Sequence, residues 1–230
     1  MSDKLTLEGL FQLQDQALKY NRENSPVLPE RLTFVSDAVG LAFDVLTSMR
    51  FAAHKQTTLR VLCSDAFSSV VTSVRVGLWG NLPDSISLLR CAVETSAILA
   101  VVVAEQSYQL ATSEMGTSRL QRFSFDEAIA RLGDIGRKIK STHGRLSNIG
   151  SHSTVHRLKW SSYEQNGQPY DRLGAALEPE AASNALGLSP TVCVYLLDSL
   201  GKSYSQDSVA FPCSEQLQEL WARFAKLKIE

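Results

Sequence analysis

Apolar residues recur along most of this chain in steps of three and four, the spacing that lines one side of a helix. Leu7, Leu10, Phe11, Leu13, Ala17 and Leu18 predict a short first helix over Leu5–Tyr20, ended by the polar run NRENSPVLP. From Glu30 to about His54, a stripe of Leu32, Val35, Val39, Phe43, Leu46 and Met49 predicts an amphipathic helix with its apolar side on a core. Thr57–Trp79 repeats the pattern with Leu59, Leu62, Ala66, Val70, Val74 and Leu78. The β-branched run VVTSVRV lowers its intrinsic propensity, so packing must hold it helical.

Gly80-Asn81 interrupts the periodicity, and Pro83-Asp84 is a helix start: proline has no N–H to leave unpaired there, and a carboxylate complements the dipole. The helix predicted from there to about Ser113 has so broad an apolar face, Ile86, Leu89, Val93, Ala97, Ala100, Val101 and Ala104, that it belongs at the centre of the fold. Arg90 and Glu94 interrupt that face one turn apart, as a partly buried ion pair would. Ser124 and Glu127 form a capping box opening a helix through Phe125, Ala128, Ile129, Leu132, Ile135 and Ile139, with glycines predicting a break near Gly144 or Gly150. Asn166-Gly167, flanked by Trp160, Tyr163 and Tyr170, predicts a small β-hairpin or ordered loop around residues 158–177. Helix returns from Glu180 to about Tyr204, with a break near Pro190, and again over Ser214–Leu227. The expected fold is all-α: a single helical domain over residues 1–230, of about six to eight helices, with an excursion at 156–179.

Charge changes this picture at one place. Ile135–Tyr163 holds six Lys or Arg and three of the four histidines without one Asp or Glu, so in a chain of net charge −1 everything else sums to −7. The four cysteines are dispersed with no C-x-x-C, which predicts free thiols in a reducing cytoplasm rather than zinc or disulfides. The opening MSDKLTLEGLFQ lacks the pattern of a signal peptide. The apolar run AILAVVVA is far shorter than the roughly 18 residues of a membrane span, so no membrane partner is expected.

Several chemistries lose their signatures. Gly201-Lys202-Ser203 ends like a phosphate-binding loop, but Leu196 stands where its first glycine belongs. No G-x-S-x-G or H-E-x-x-H occurs. His152 and His156 lie four apart with no acid or thiol nearby to complete a metal set, so no metal or cofactor is expected. Arg145 and His152, with Ser147, Asn148 and Ser151 between them, lie about 10 Å apart along a helix axis and on one side of it. An arginine that holds phosphate and a near-neutral histidine that moves a proton meet the needs of RNA cleavage by the internal 2′-hydroxyl. The competing reading, which spacing alone favours, has these residues cap a broken helix and bond the hairpin backbone.

Gly80-Asn81 leading into SISLLRCAVE, and RLSNIGSH from Arg145 to His152, resemble two elements of HEPN-like (higher eukaryotes and prokaryotes nucleotide-binding) helical proteins. The first is a leucine-rich helix with an Arg and a Glu four apart; the second is a late helix ending in a serine followed by a histidine. The resemblance spans roughly Leu32 to His156. It implies a dimer of the kind found in toxin–antitoxin and antiviral defence systems, acting as a metal-independent endoribonuclease. It further implies that Arg145 holds phosphate, that His152 is the general acid or base, and that Arg90, Glu94, Ser147 and Asn148 support the site. Arg137, Lys138, Lys140, Arg157 and Lys159 would supply the electrostatic footprint for RNA. The alternative is a non-catalytic protein-interaction module whose basic stretch is a solvated face or docks an acidic protein partner.

Overall fold

The computed structural model describes residues 6–25, 27–48, 54–104, 125–150, 162–165, 168–171, 179–206 and 213–227. Over them the chain forms an all-α bundle. Helix α1 spans Leu7–Asn24, α2 Leu28–Ser48, α3 His54–Leu78 and α4 Leu82–Ala104. Then come α5 at Phe125–Arg131, α6 at Gly133–Gly150, α7 at Pro179–Leu186, α8 at Ser189–Gln206 and α9 at Ser214–Phe224. Between α6 and α7, β1 (Ser162–Gln165) and β2 (Gln168–Asp171) pair antiparallel, with Tyr163 opposite Tyr170. Asn166-Gly167 lies outside the described residues, as do Ser124 and the stretch 105–113 that was expected to extend α4.

The central position expected of α4 follows from its composition: it packs against α3, α5, α6, α7 and α8. Ile86, Leu89, Val93, Ala97, Leu99 and Val102 are fully buried along it. Its partner α3 ends as the glycine foretold. Gly80 takes φ 86°, the amide of Asn81 donates to the carbonyl of Val76 at 3.1 Å, and that of Gly80 donates to Gly77 at 2.9 Å. This left-handed glycine closure satisfies carbonyls that a helix end otherwise leaves open. The α3–α4 hairpin is locked by two serines, each donating its hydroxyl to the other's backbone carbonyl: Ser73 to Ser85 at 2.7 Å and Ser85 to Ser73 at 2.8 Å. Gly77 makes this approach possible, since a Cβ there would come within 2.8 Å of the Ser85 Oγ.

Three expectations need correction. The stripe expected on α2 holds at Val35 and Leu46, which are buried, but not at Phe43, which is exposed while Phe34, Ala38, Leu41, Ala42 and Val45 complete the core face. In α1, Leu7 and Phe11 are exposed, and the helix is held instead through Ala17 and Asn21, whose side-chain amide donates to the carbonyl of Leu78 at 2.9 Å. No break falls at Gly144: the helix is interrupted earlier, at Leu132–Gly133, where Gly133 takes φ 56°, and α6 then spans Gly133–Gly150. Gly144 is an ordinary interior position with open space around it, whereas only a residue without Cβ adopts the Gly133 conformation without strain.

The remaining elements close the bundle around α8. It starts anew after Gly187-Leu188, near Pro190 as expected, and buries Val192, Leu196, Leu197 and Leu200. Buried Arg31 of α2 donates to the carbonyl of Ser183 at 2.9 Å, placing a cation on the C-terminal turn of α7. Helix α9 packs Phe224 against Phe34 at 5.9 Å between ring centroids and ties Arg223 to Asp37 at 2.6 Å.

Candidate functional site

Helix α6 is strongly two-sided. Its inner side carries Gly136, Ile139, Thr142, His143 and Leu146 toward α4, and its outer side carries Arg137, Lys138, Ser141, Arg145 and Asn148 in solvent. Ile139 and Leu146 are each only 1% exposed, so His143 is anchored one turn from each of two core residues.

That anchoring brings His143 to the pair on α4. Arg90 Nε donates to Glu94 Oε1 at 3.0 Å, as the one-turn spacing predicted. The same oxygen lies 2.9 Å from Nε2 of His143. The Phe125 ring at the start of α5 stacks on the imidazole, with centroids 4.3 Å apart and planes tilted by 32°. All three polar side chains are partly exposed: 26% for Arg90, 34% for Glu94 and 21% for His143. Each is therefore desolvated enough to strengthen its bonds and reachable by a small ligand. Beside His143 in sequence, Thr142 Oγ1 pairs with the Tyr195 hydroxyl of α8 at 3.1 Å.

Cys91 shares this side of α4. Partial burial and the negative charge of Glu94 raise its thiol above the usual value; Arg90 opposes them and Asp65 adds to them. A thiol kept protonated is a poor nucleophile.

The expected site residues fall into three groups. Arg90 and Glu94 meet as a pair. Ser147 is half-buried one turn beyond His143, while Arg145 and Asn148 are exposed. Two residues of helix turn the side-chain direction by roughly 200°, so Arg145 leaves α6 on the side away from His143. His152, Arg157 and Lys159, with Ser151 and His156, lie outside the described residues.

The basic footprint is also less bare than the run Ile135–Tyr163 suggested. Arg137 pairs with Asp134, and Lys140 with Asp126 at 3.5 Å, both acids coming from just upstream of that run. Lys138 is exposed, and Arg145, also exposed, has an interaction of its own.

The site expected from the sequence does not include His143. Its signal was its place in the buried stripe of α6, four residues after Ile139 and three before Leu146, where a titratable residue needs a polar partner from the facing helix. Arg90 and Glu94 were the only charges on the matching face of α4.

A second feature lies two turns away. A cavity of about 430 Å³ opens between the end of α4, the start of α6 and α8. Ala100, Val103, Ile135 and Ile139 line it, with Asp198 and Lys202, themselves paired at 2.6 Å, among its polar groups. Among the described residues, no three His, Cys, Asp or Glu side chains gather where they could hold a metal ion. Leu59–Leu78 and Leu82–Ala104 are long and apolar enough to cross a membrane by length and composition, with 39% and 56% of those windows buried in the bundle.

No family model, curated protein or solved structure matches this chain.

Proposed function

We propose that the chain is a HEPN-like helical protein that engages RNA, or another phosphate-bearing ligand, along α6 and cleaves RNA without a metal. In this reading it is a cytoplasmic homodimer serving a defence or toxin–antitoxin system. Arg145 holds phosphate and His152 transfers a proton. Arg90 and Glu94 support the site, together with Ser147 and Asn148. Arg137, Lys138, Lys140, Arg157 and Lys159 supply the field. The observation that carries it is that α6 presents an exposed cationic side while its opposite, inner side holds His143 against Arg90 and Glu94 of α4.

The test uses purified full-length protein and labelled single-stranded RNA. Affinity should fall steeply between about 50 and 200 mM salt, RNA should be cut in chelator, and His152→Ala should stop the cutting. Light scattering should give twice the chain mass. Affinity indifferent to salt, or His152→Ala cutting like wild type, sinks this reading.

A second reading is favoured by the acids that meet α6's cations. Asp134 and Asp126 temper Arg137 and Lys140, as on a solvated face that docks an acidic protein without catalysis. Salt-dependent binding to an acidic protein, with no RNA binding or cutting, would select it.

A further inference from the structure

A carboxylate on the most buried helix of the bundle costs desolvation, and Arg90, one turn away, already offsets it. The structure adds a second donor from another helix onto the same oxygen, and that donor is an imidazole, the side-chain type suited to proton transfer. If Glu94 needed only a structural partner, any neutral donor would serve. With Nε2–H engaged by Glu94, the neutral ring carries its lone pair on Nδ1. A carboxylate that fixes the tautomer and plane of an imidazole, so that its other nitrogen takes a proton, is the arrangement that activates hydroxyl nucleophiles. Phe125 holds the ring plane from the far side. Among the described residues, the charged groups bonded toward His143 are Glu94 and, through it, Arg90, both from α4.

We infer that His143 is a general base of the RNA-cleaving site, that Glu94 is its positioning residue, and that Arg90 fixes the carboxylate. This rests on the RNA reading above. Nδ1 of His143 takes the proton of the ribose 2′-hydroxyl, O2′ bonds to phosphorus, and the bond from phosphorus to O5′ breaks. The departing O5′ takes a proton from a solvent water, and the imidazolium returns its own to the hydroxide left behind. A 2′,3′-cyclic phosphate and a 5′-hydroxyl result.

The experiment measures kcat/KM against pH for RNA cleavage by full-length wild type, His143→Gln, Glu94→Gln and His152→Ala, with RNA affinity and circular dichroism on each. His143→Gln should lose about 100-fold or more in rate while binding RNA like wild type. Glu94→Gln removes the charge that stabilises the imidazolium, so the acid limb of the profile should move to lower pH, which loss of a merely structural bond would not cause. If His143→Gln does not fold, the acid limb of Glu94→Gln decides alone. Wild-type rates in His143→Gln, or an unmoved acid limb in Glu94→Gln, overturn the inference while cutting by wild type keeps the RNA reading alive. A wild-type protein that neither binds nor cuts RNA overturns both.

Discussion

Oε1 of Glu94 accepts from His143 Nε2 at 2.9 Å across 49 residues of sequence, joining α4 to α6. A bond so placed couples the two helices energetically. In a double-mutant cycle by urea unfolding, Glu94→Ala and His143→Ala should show a coupling of about 0.5–1 kcal/mol, in the range of partly exposed charge-assisted bonds. Additive single effects would mean that the contact does not hold the seam.

The turn that aims α6 at α4 makes glycine substitutions discriminating. Gly133→Ala puts a Cβ on a φ of 56° and should cost about 1 kcal/mol. Gly136→Ala should cost more, about 2–3 kcal/mol, because its Cβ would collide with the backbone carbonyl of Ile129. Gly144→Ala meets open space inside a helix and should stabilise by about 0.5–1 kcal/mol. Thermal unfolding of the three variants checks the order; a destabilised Gly144→Ala would contradict an unbroken α6.

These positions also mark what was legible in the sequence. Periodicity located the helices, and the apolar breadth of α4 gave its central place, because burial on several sides is written in one helix's own residues. The exposure of Phe43 was not legible: it continues the apolar spacing of Val35 and Val39, and only packing against α8 shows that Ala38, Ala42 and Val45 face the core in its place. Glycine content pointed to Gly144 or Gly150, and the break at Gly133 depends instead on how Gly136 must pass Ile129. Arg90 and Glu94 were readable as a pair because they share a helix. Their third member, His143, was hidden by chain distance although its place among Ile139, Thr142 and Leu146 marked it as inward-facing.

The acids beside α6 give a prediction opposite in sign to the usual charge deletion. Asp126→Asn and Asp134→Asn release Lys140 and Arg137 from local pairing, so the double variant should bind single-stranded RNA more tightly than wild type. Lys138→Ala should weaken binding and reduce the salt slope by about one unit. Fluorescence anisotropy across a salt series measures both. Unchanged affinity in both the double variant and Lys138→Ala would remove α6 from any RNA interface.

Core thiols set an alkaline limit on stability. Burial pushes the Cys193 thiol of α8 up to about 12 from a usual 9.0, and burial raises Cys63 of α3 as well. Each therefore keeps its proton in the folded protein at a pH where the unfolded chain has released it. Their contribution is fully present below pH 9.0 and is lost as pH rises toward the folded value, about 12 for Cys193. At about pH 10.5 the loss from Cys193 alone is on the order of 2 kcal/mol relative to about pH 8. Urea unfolding at those two conditions should show the drop in wild type, and Cys193→Ala should show less of it even though the cavity it leaves lowers stability at both. An equal alkaline drop in wild type and Cys193→Ala would mean that this thiol ionises alike in the folded and unfolded chain.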